Sequence, residues 1–320
     1  MNRSRLITAF KLVISAALIG ALVYGVDWQK LAELTTRLEA PIVVLAFMLM
    51  MAQFPISVVK WQAALKIHQL QYGFVFLQKV LCIGFFFNNF LPSTIGGDGF
   101  RVYKTMPDEG YKSRALSAVL LERIIGFSAL LFLGLIGGAF VYQDGSSSSH
   151  LALYYIVLVG SGFVFGGLFL LLHNVGVFNV VWERLSKIKK LDLIIHNLTH
   201  INRNFPLLVY VTMISLVFQV TAILVTQLLF AAIDVEISLA QAAFLTAIIG
   251  MVAILPISIN GIGVVEGSFV VAALQLNIAY DHAVVVAFML RILVVPLSII
   301  CGLIYLLTKN DKALAAEPES

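Results

Sequence analysis

The sequence predicts an all-α polytopic membrane protein with about six full spans and two re-entrant broken-helix hairpins, arranged as an inverted-topology repeat. The 320-residue chain is 60% hydrophobic and only 12% charged, about half the charged fraction of a soluble domain. The charged residues cluster in short segments between long apolar stretches. Two of these stretches are interrupted by proline and glycine at matching positions. Lipid is therefore the predicted solvent for most of the chain.

Six uninterrupted stretches approach the roughly 20 apolar residues that a transmembrane helix needs. They cover residues 6–26, 41–60, 115–142, 151–173, 207–232 and 283–307. Two further stretches, 73–103 and 240–276, are apolar but broken centrally by Pro and Gly. We predict a single membrane domain over 1–310, with repeat one at about 41–142 and repeat two at about 207–307, followed by a cytoplasmic tail over 311–320.

Basic residues indicate which loops are cytoplasmic, because short cytoplasmic loops carry an excess of Lys and Arg. By this rule both termini are cytoplasmic, and the basic segment 174–206 is predicted as a cytoplasmic interfacial helix. Both flanks of 73–103 then lie in the cytoplasm, and both flanks of 240–276 lie outside. Each broken stretch should therefore leave the membrane by the side from which it entered. The predicted location is the bacterial cytoplasmic (inner) membrane.

The two broken stretches resemble each other in sequence. LPSTIGGDG over 91–99 aligns without a gap with LPISINGIG over 255–263, and the following span in each half carries an arginine, Arg123 or Arg291. Hairpins at equal positions that open to opposite sides predict a pseudo-two-fold axis in the membrane plane. Broken helices in corresponding positions of two repeats indicate a substrate site near the midplane. The alternative is that both stretches are ordinary kinked spans that cross fully.

Proline and glycine should form the turns of these hairpins, since proline disfavours helix for the preceding residue and glycine permits tight turns and close helix packing. Asp98 and Asn260 are expected to cap the outbound half-helices. Asn88 and Asn89 are expected to hydrogen-bond the broken backbone. The predicted turn residues are Pro92, Gly96, Gly97, Gly99, Pro256, Gly261 and Gly263.

Ionisable residues within or beside the apolar stretches are candidate functional groups. Each costs about 2.5–3.5 kcal/mol at a helix centre on insertion scales, so these residues should pair and face protein or water. Arg123 and Arg291 present forked donors suited to phosphate; they could bind a lipid headgroup or lock the repeats through Glu122 and Glu266. Alternatively, Glu122 and Arg123 snorkel to the cytoplasmic headgroups. The predicted translocation residues are Asn88, Asn89, Asp98, Arg101, Glu122, Arg123, Ser258, Asn260, Glu266 and Arg291.

Several functional classes lack their sequence signals. There is no H-E-x-x-H, G-x-S-x-G or Walker-type phosphate loop, so we do not expect an enzyme, a catalytic residue or a cofactor. No cluster with metal-ligand spacing predicts a metal site, and no basic patch with interleaved aromatics predicts nucleic-acid binding. Cys82 and Cys301 are expected to be small hydrophobic residues in helix interfaces.

Three motifs carry a family resemblance. NNFLPSTIGGDGFRVYK (88–104), LLERIIGF (120–127) and LPISINGIGVVEGSF (255–269) resemble the lysylphosphatidylglycerol synthase transmembrane-region family, also called the flippase-like domain family. The resemblance covers nearly the whole chain in the family's order. Asn260 stands where many members have another glycine. The positions that match the family's pattern are Asn89, Pro92, Gly96, Gly97, Asp98, Arg101, Glu122, Arg123, Pro256, Ser258, Gly261, Gly263, Glu266 and Arg291.

The resemblance implies the membrane half of proteins that make and flip aminoacylated phosphatidylglycerol. Because the sequence ends at Ser320, soon after the last predicted span, a cytosolic aminoacyl-transferase domain and lipid synthesis are not expected. The expected function is movement of an anionic or aminoacylated phospholipid, or a related lipid phosphate, between leaflets. The alternatives are a secondary transporter of a small polar solute and a non-catalytic envelope-assembly partner. Expected partners are membrane lipids, with homo-oligomers or an envelope-biogenesis protein as further candidates.

Overall fold

The computed structural model describes residues 3–90, 96–108, 111–143, 159, 205–255 and 257–308, and all of the regular structure in these ranges is helical. The first half contains α1 (Arg3–Tyr24), α2 (Trp28–Thr36), α3 (Ala40–Ile67), α4 (Phe74–Phe90), α5 (Gly96–Lys104) and α6 (Lys112–Gln143). The second half contains α7 (Phe205–Ala231), α8 (Leu239–Ala253), a 3₁₀ turn (Ile259–Gly261), α9 (Val264–Gln275) and α10 (Tyr280–Thr308).

Four helices in the described ranges are long and apolar enough to span a bilayer: α3, α6, α7 and α10. They coincide with the predicted spans 41–60, 115–142, 207–232 and 283–307. The predicted span 6–26 overlaps most of α1, of which Ser15–Tyr24 is a shorter apolar helix, and extends two residues beyond its end. The chain is therefore an all-α, multi-pass integral membrane protein. The predicted span 151–173 and the interfacial helix over 174–206 lie almost wholly outside the described residues, as do the tail 311–320, Pro92 and Pro256.

The first broken stretch folds back on itself. α4 and α5 run antiparallel, because the Gly97 N–H donates to Asn88 Oδ1 at 2.8 Å near the tip, while the Tyr72 hydroxyl donates to the Thr105 carbonyl at 3.0 Å at the base. Gly97 permits this approach, since a Cβ there would lie 2.2 Å from the Gly84 carbonyl oxygen. The chain thus enters and leaves this hairpin at one end of the bundle.

The second broken stretch is also a hairpin, made of α8 and α9, which pack against each other. Ile237 before α8 and Ile278 after α9 lie in one buried cluster. At the same end of the bundle, the Asp27 N–H donates to Asp281 Oδ1 at 3.3 Å and the Glu39 N–H donates to the Ala232 carbonyl at 2.9 Å. These loops are acidic. The base of the first hairpin lies at the opposite end, near the basic residues Arg114 and Lys104.

Helices at equal positions in the two halves make matching contacts. α3 packs extensively on α7, and these two helices are the first helices of the predicted repeats. α6 packs on α8, and α10 packs on α4, so the last helix of each half covers the inbound half-helix of the other. Both hairpins are thereby held in the interior of the bundle, with their tips close together.

His68, just after α3, should make the free energy of unfolding of the protein depend on pH. The side chain is buried beside Arg114, and burial followed by the positive charge of Arg114 lowers its pKa to about 4 from 6.5. The folded protein keeps His68 neutral, whereas the unfolded chain protonates it below about pH 6.5, so this contribution is complete above pH 6.5 and decreases as the pH falls towards 4. Between pH 6.5 and 5 we expect a loss of about 2 kcal/mol. Unfolding midpoints in detergent at pH 7 and 5 would measure this loss of stability. The change between the two pH values should be smaller in His68→Gln than in wild type. An equal change in both proteins would contradict the assignment to His68.

Candidate functional site

A cavity of about 650 Å³ lies against the first hairpin, between helices of both halves. Its walls come from α3, α4, α5, α6, α7 and the inner end of α8. Aromatic side chains form much of the apolar wall, namely Phe54, Phe85, Phe127 and Phe218. Five charged side chains line the same space: Lys60, Asp98, Arg101, Glu122 and Arg123. The cavity therefore offers both an apolar surface and a charged one.

Glu122 is the buried centre of the charged cluster. Lys60 Nζ lies 3.1 Å from Glu122 Oε1, and the Arg101 guanidinium donates to Glu122 Oε2. The side chains of all three are at most 7% exposed. Each oxygen of the buried carboxylate faces a cation, which compensates its charge. Because Lys60 lies on α3, Arg101 on α5 and Glu122 on α6, these contacts also join the three helices. Its predicted pairing with Arg123 is not what the structure shows.

Arg101 is held from three directions. Its Nη1 donates to Asp98 Oδ1 at 3.3 Å, its second terminal nitrogen donates to Glu122, and its guanidinium carbon lies 4.1 Å from the Trp61 ring centroid. Stacking on the face of an indole is a favourable position for a guanidinium. The Arg101 Nε is buried without a hydrogen-bond partner among the described residues.

Arg123 differs from the other cations because it is accessible. Its side chain is 57% exposed and donates to Asp98 Oδ1 at 2.9 Å through Nη2. Asp98 is itself 26% exposed and accepts from both Arg101 and Arg123. Most of the Arg123 donors are thus free to reach a ligand that enters the cavity. The exposure of Arg123 is compatible with the alternative that its side chain snorkels to the headgroups. The burial of Glu122 contradicts the same alternative for Glu122.

The cluster has a net positive charge in its ionised state. Three cations, Lys60, Arg101 and Arg123, face two carboxylates, Asp98 and Glu122, which leaves one positive charge (3 − 2 = 1). Next to an apolar wall, an excess positive charge with free guanidinium donors is complementary to a phosphate or carboxylate attached to an apolar group.

A second charged group lies in the second half. Arg291 Nε donates to Glu266 Oε1 at 2.5 Å, and Arg291 Nη1 donates to the Asn260 carbonyl at 3.3 Å. The other Glu266 oxygen accepts the Gly263 N–H at 2.7 Å. Glu266 is 3% exposed and Arg291 is 28% exposed at the side chain. These contacts join α9, α10 and the turn that precedes α9, all within the second half.

The predicted caps are wrong. α9 begins after Gly263, and the Glu266 carboxylate, not Asn260, accepts the free N–H there. Asn260 instead has φ 51° and ψ 30°, the left-handed conformation that Gly adopts most readily and Asn next. This conformation is one that asparagine tolerates, so Asn260 can form part of the turn. Asp98 lies inside the first turn of α5, where its carboxylate binds arginines rather than capping the helix.

The two hairpin tips meet through asparagine side chains. Asn260 Nδ2 donates to Asn89 Oδ1 at 3.2 Å, and Asn89 Nδ2 donates to Ser298 Oγ of α10 at 2.8 Å. Asn88 accepts the Gly97 N–H, as expected for an amide that satisfies broken backbone. Asn88 faces the cavity and Asn89 faces α10. α4 therefore separates the cavity from the Arg291–Glu266 pair.

The remaining predicted residues lie in or near the turns. Gly96, Gly97 and Gly99 belong to the first turn of α5, and a Cβ at Gly99 would meet nothing within 4 Å. Gly261 and Gly263 have φ of +70° and +83°, so the second turn requires glycine there. Ser258 is buried, and its Oγ has no hydrogen-bond partner in the part of the chain that is described.

Lys60 is a site residue that the sequence interpretation missed. The span was predicted to end at 60, but α3 continues without a break to Ile67, which places Lys60 two turns inside the helix and 5% exposed. The signal was present: no Gly or Pro follows Lys60 before the helix end. A lysine two turns inside an apolar helix needs a partner, and Glu122 is that partner.

The comparisons with known proteins agree with this architecture. The family model of the lysylphosphatidylglycerol synthase transmembrane region matches residues 8–302. A Methanocaldococcus jannaschii protein described as UPF0104 membrane protein MJ1595 is 29% identical over 150 residues, which is 46% of this chain and 45% of the relative. The chain thus matches less than half the length of that relative. No solved structure matches.

Proposed function

The chain belongs to the lysylphosphatidylglycerol synthase transmembrane-region family, and from this premise we propose that it moves an anionic phospholipid, or a related lipid phosphate, between the leaflets of the membrane. One observation carries the proposal: the accessible Arg123 guanidinium stands at an apolar, aromatic-lined cavity whose charged cluster has one uncompensated positive charge. A headgroup phosphate would bind Arg123 while the acyl chains stay against the apolar wall.

In this proposal the two halves form the inverted-topology repeat. The matching contacts of α6 with α8 and of α10 with α4 support it, as do hairpin bases at opposite ends of the bundle. Non-helical backbone at membrane depth is tolerated where protein or a water-filled cavity satisfies it, and the Asn88 and Glu266 contacts supply that here. The basic end would face the cytoplasm of a bacterial inner membrane.

The two arginines have different roles in this scheme. Arg123 is the headgroup ligand, because it is accessible and makes a single ion pair. Arg291 is a positioning residue that holds the second hairpin turn through Glu266 and Asn260. The protein would act by moving lipid rather than by changing it chemically.

Reconstitution into vesicles tests the proposal. Purified protein would be inserted into vesicles that contain fluorescently labelled phosphatidylglycerol, and dithionite would quench the label in the outer leaflet. We expect wild type to expose the inner-leaflet label and Arg123→Gln to slow this by about 100-fold, the size expected when a charged, orienting contact is lost. Arg37→Gln, the same charge change at an exposed position, should behave like wild type.

Other outcomes separate the competing functions. Labelled phosphatidylcholine should move more slowly than the anionic lipid, because its zwitterionic headgroup leaves the cluster charge uncompensated. Equal rates for wild type and Arg123→Gln would remove the cavity from the mechanism. Uptake of small polar solutes without lipid movement would instead favour a secondary transporter.

A further inference from the structure

We propose that Asp98 is a built-in competitor of the transported anion: an incoming phosphate replaces the Asp98 carboxylate on Arg123, and Asp98 returns when the phosphate leaves. The inference rests on the proposed function, and it assigns Asp98 the role of setting affinity and release at that site. Two properties of the residues in the charged cluster support it: how exposed each side chain is, and how many ion-pair partners it has.

The Arg123–Asp98 contact is the exchangeable one. It consists of a single hydrogen bond, from Nη2 to Oδ1 at 2.9 Å, between two side chains that are 57% and 26% exposed. A phosphate has the same charge sign as the carboxylate and presents more acceptor oxygens to the guanidinium fork. An anion in the cavity can therefore reach Arg123 without passing any buried group.

The exchange leaves no charge unpaired. After losing Arg123, Asp98 still accepts from Arg101 Nη1 at 3.3 Å. Glu122 keeps Lys60 and Arg101 throughout. The bound monoanion neutralises the net charge of +1 that the five side chains carry. A buried unpaired charge costs free energy. Since every buried charge keeps a partner both with and without the bound anion, neither state carries this cost.

The second half provides the contrast. Glu266 is 3% exposed, binds Arg291 at 2.5 Å and accepts the Gly263 N–H with its other oxygen. An anion that displaced Glu266 would free both a buried carboxylate and a helix-terminal N–H. The Arg291–Glu266 pair is therefore fixed, although Arg291 is the arginine of the second half that matches Arg123. Only the first of the two pairs is built for exchange.

Exchange explains how a tight charge-assisted contact can still release its ligand. A transporter must bind its substrate well enough to select it and weakly enough to let it leave. Asp98, on the first turn of α5, lies next to Arg123 at all times and competes with the bound phosphate. Removal of this competitor should strengthen binding and slow release, so affinity and turnover should change in opposite directions.

Calorimetric titration of the full-length protein in a neutral detergent tests this, with dihexanoyl-phosphatidylglycerol as the probe. We expect Asp98→Asn to lower the Kd by about tenfold, the effect of losing one competing charge-assisted hydrogen bond, and to lower the lipid transport rate in vesicles. Asp98→Glu, which restores a carboxylate, should return the Kd towards that of wild type. Glu236→Gln makes the same charge change at an exposed carboxylate and should leave the Kd unchanged.

The outcomes distinguish the two proposals. An unchanged or higher Kd in folded Asp98→Asn, with binding lost in Arg123→Gln, would overturn the exchange and leave the proposed function standing. Absence of binding in wild type, Asp98→Asn and Asp98→Ala alike would overturn both. An equal decrease of the Kd in Glu236→Gln would show a general charge effect and overturn the role of Asp98. If Asp98→Asn does not fold, Asp98→Ala provides the same comparison.

Discussion

Replacement of Glu122 by Gln should lower the free energy of unfolding by about 3–5 kcal/mol, the loss measured when one partner of a buried ion pair is removed. Gln keeps the shape of Glu but removes the negative charge. Lys60 and Arg101, at most 7% exposed at the side chain, would then lack their common carboxylate. Among the described residues, Glu122 is a buried carboxylate that forms ion pairs with two buried cations.

Unfolding by SDS titration in mixed micelles would measure this loss. Glu236→Gln is the control, because that carboxylate is exposed at the acidic end of the bundle. The double variant Lys60→Gln, Glu122→Gln should recover part of the loss, since it removes one of the two uncompensated cations. A loss below about 1 kcal/mol for Glu122→Gln would mean that water or lipid headgroups solvate the cluster, as for an exposed ion pair.

The sequence was sufficient to locate four long spans and both broken stretches, because apolar length and Pro/Gly interruption are local signals. It also selected four of the five residues of the charged cluster, all except Lys60, and both residues of the second pair, since a charge in an apolar stretch is conspicuous. It could not assign partners. Arg123 pairs with Asp98 rather than Glu122, and this depends on how α5 packs against α6, which no local pattern encodes.

Two other features depended on helix geometry. The predicted span ends at Lys60 because an isolated lysine looks like a span boundary, whereas the uninterrupted helix to Ile67 places Lys60 inside the bundle. Asn260 was assigned as a cap because Asn is a common cap residue. Its left-handed backbone is a different use of the same side chain, and only the turn that Gly261 and Gly263 complete distinguishes the two.

Oxidation of the native cysteines should stop transport, because it would tether the first hairpin to the last helix. Cys82 of α4 and Cys301 of α10 are both free and buried, and the two thiols are close enough to interact where these helices pack together. The same helix face carries Asn89, which donates to Ser298, and Phe86, which packs against Gly302. The opposite face of α4 lines the cavity.

A disulfide between Cys82 and Cys301 would therefore fix one face of α4 while the other face contacts the substrate. Inverted-repeat transporters work by movement of one repeat against the other around the site, and α4 and α10 belong to different halves. If the first hairpin moves relative to α10, the tethered protein should transport at about one tenth of the reduced rate or less, and reductant should restore the rate.

The experiment uses vesicles treated with copper phenanthroline, an apolar oxidant that can enter the bilayer. Mass spectrometry would report the loss of two hydrogen atoms on disulfide formation, and Cys82→Ala and Cys301→Ala provide variants that cannot form the bond. Failure of the bond to form in wild type would contradict the packing of α4 on α10. A formed bond with undiminished transport would mean that α4 and α10 move as one unit, and the opening would then have to occur where α6 meets α8, the corresponding contact of the other half.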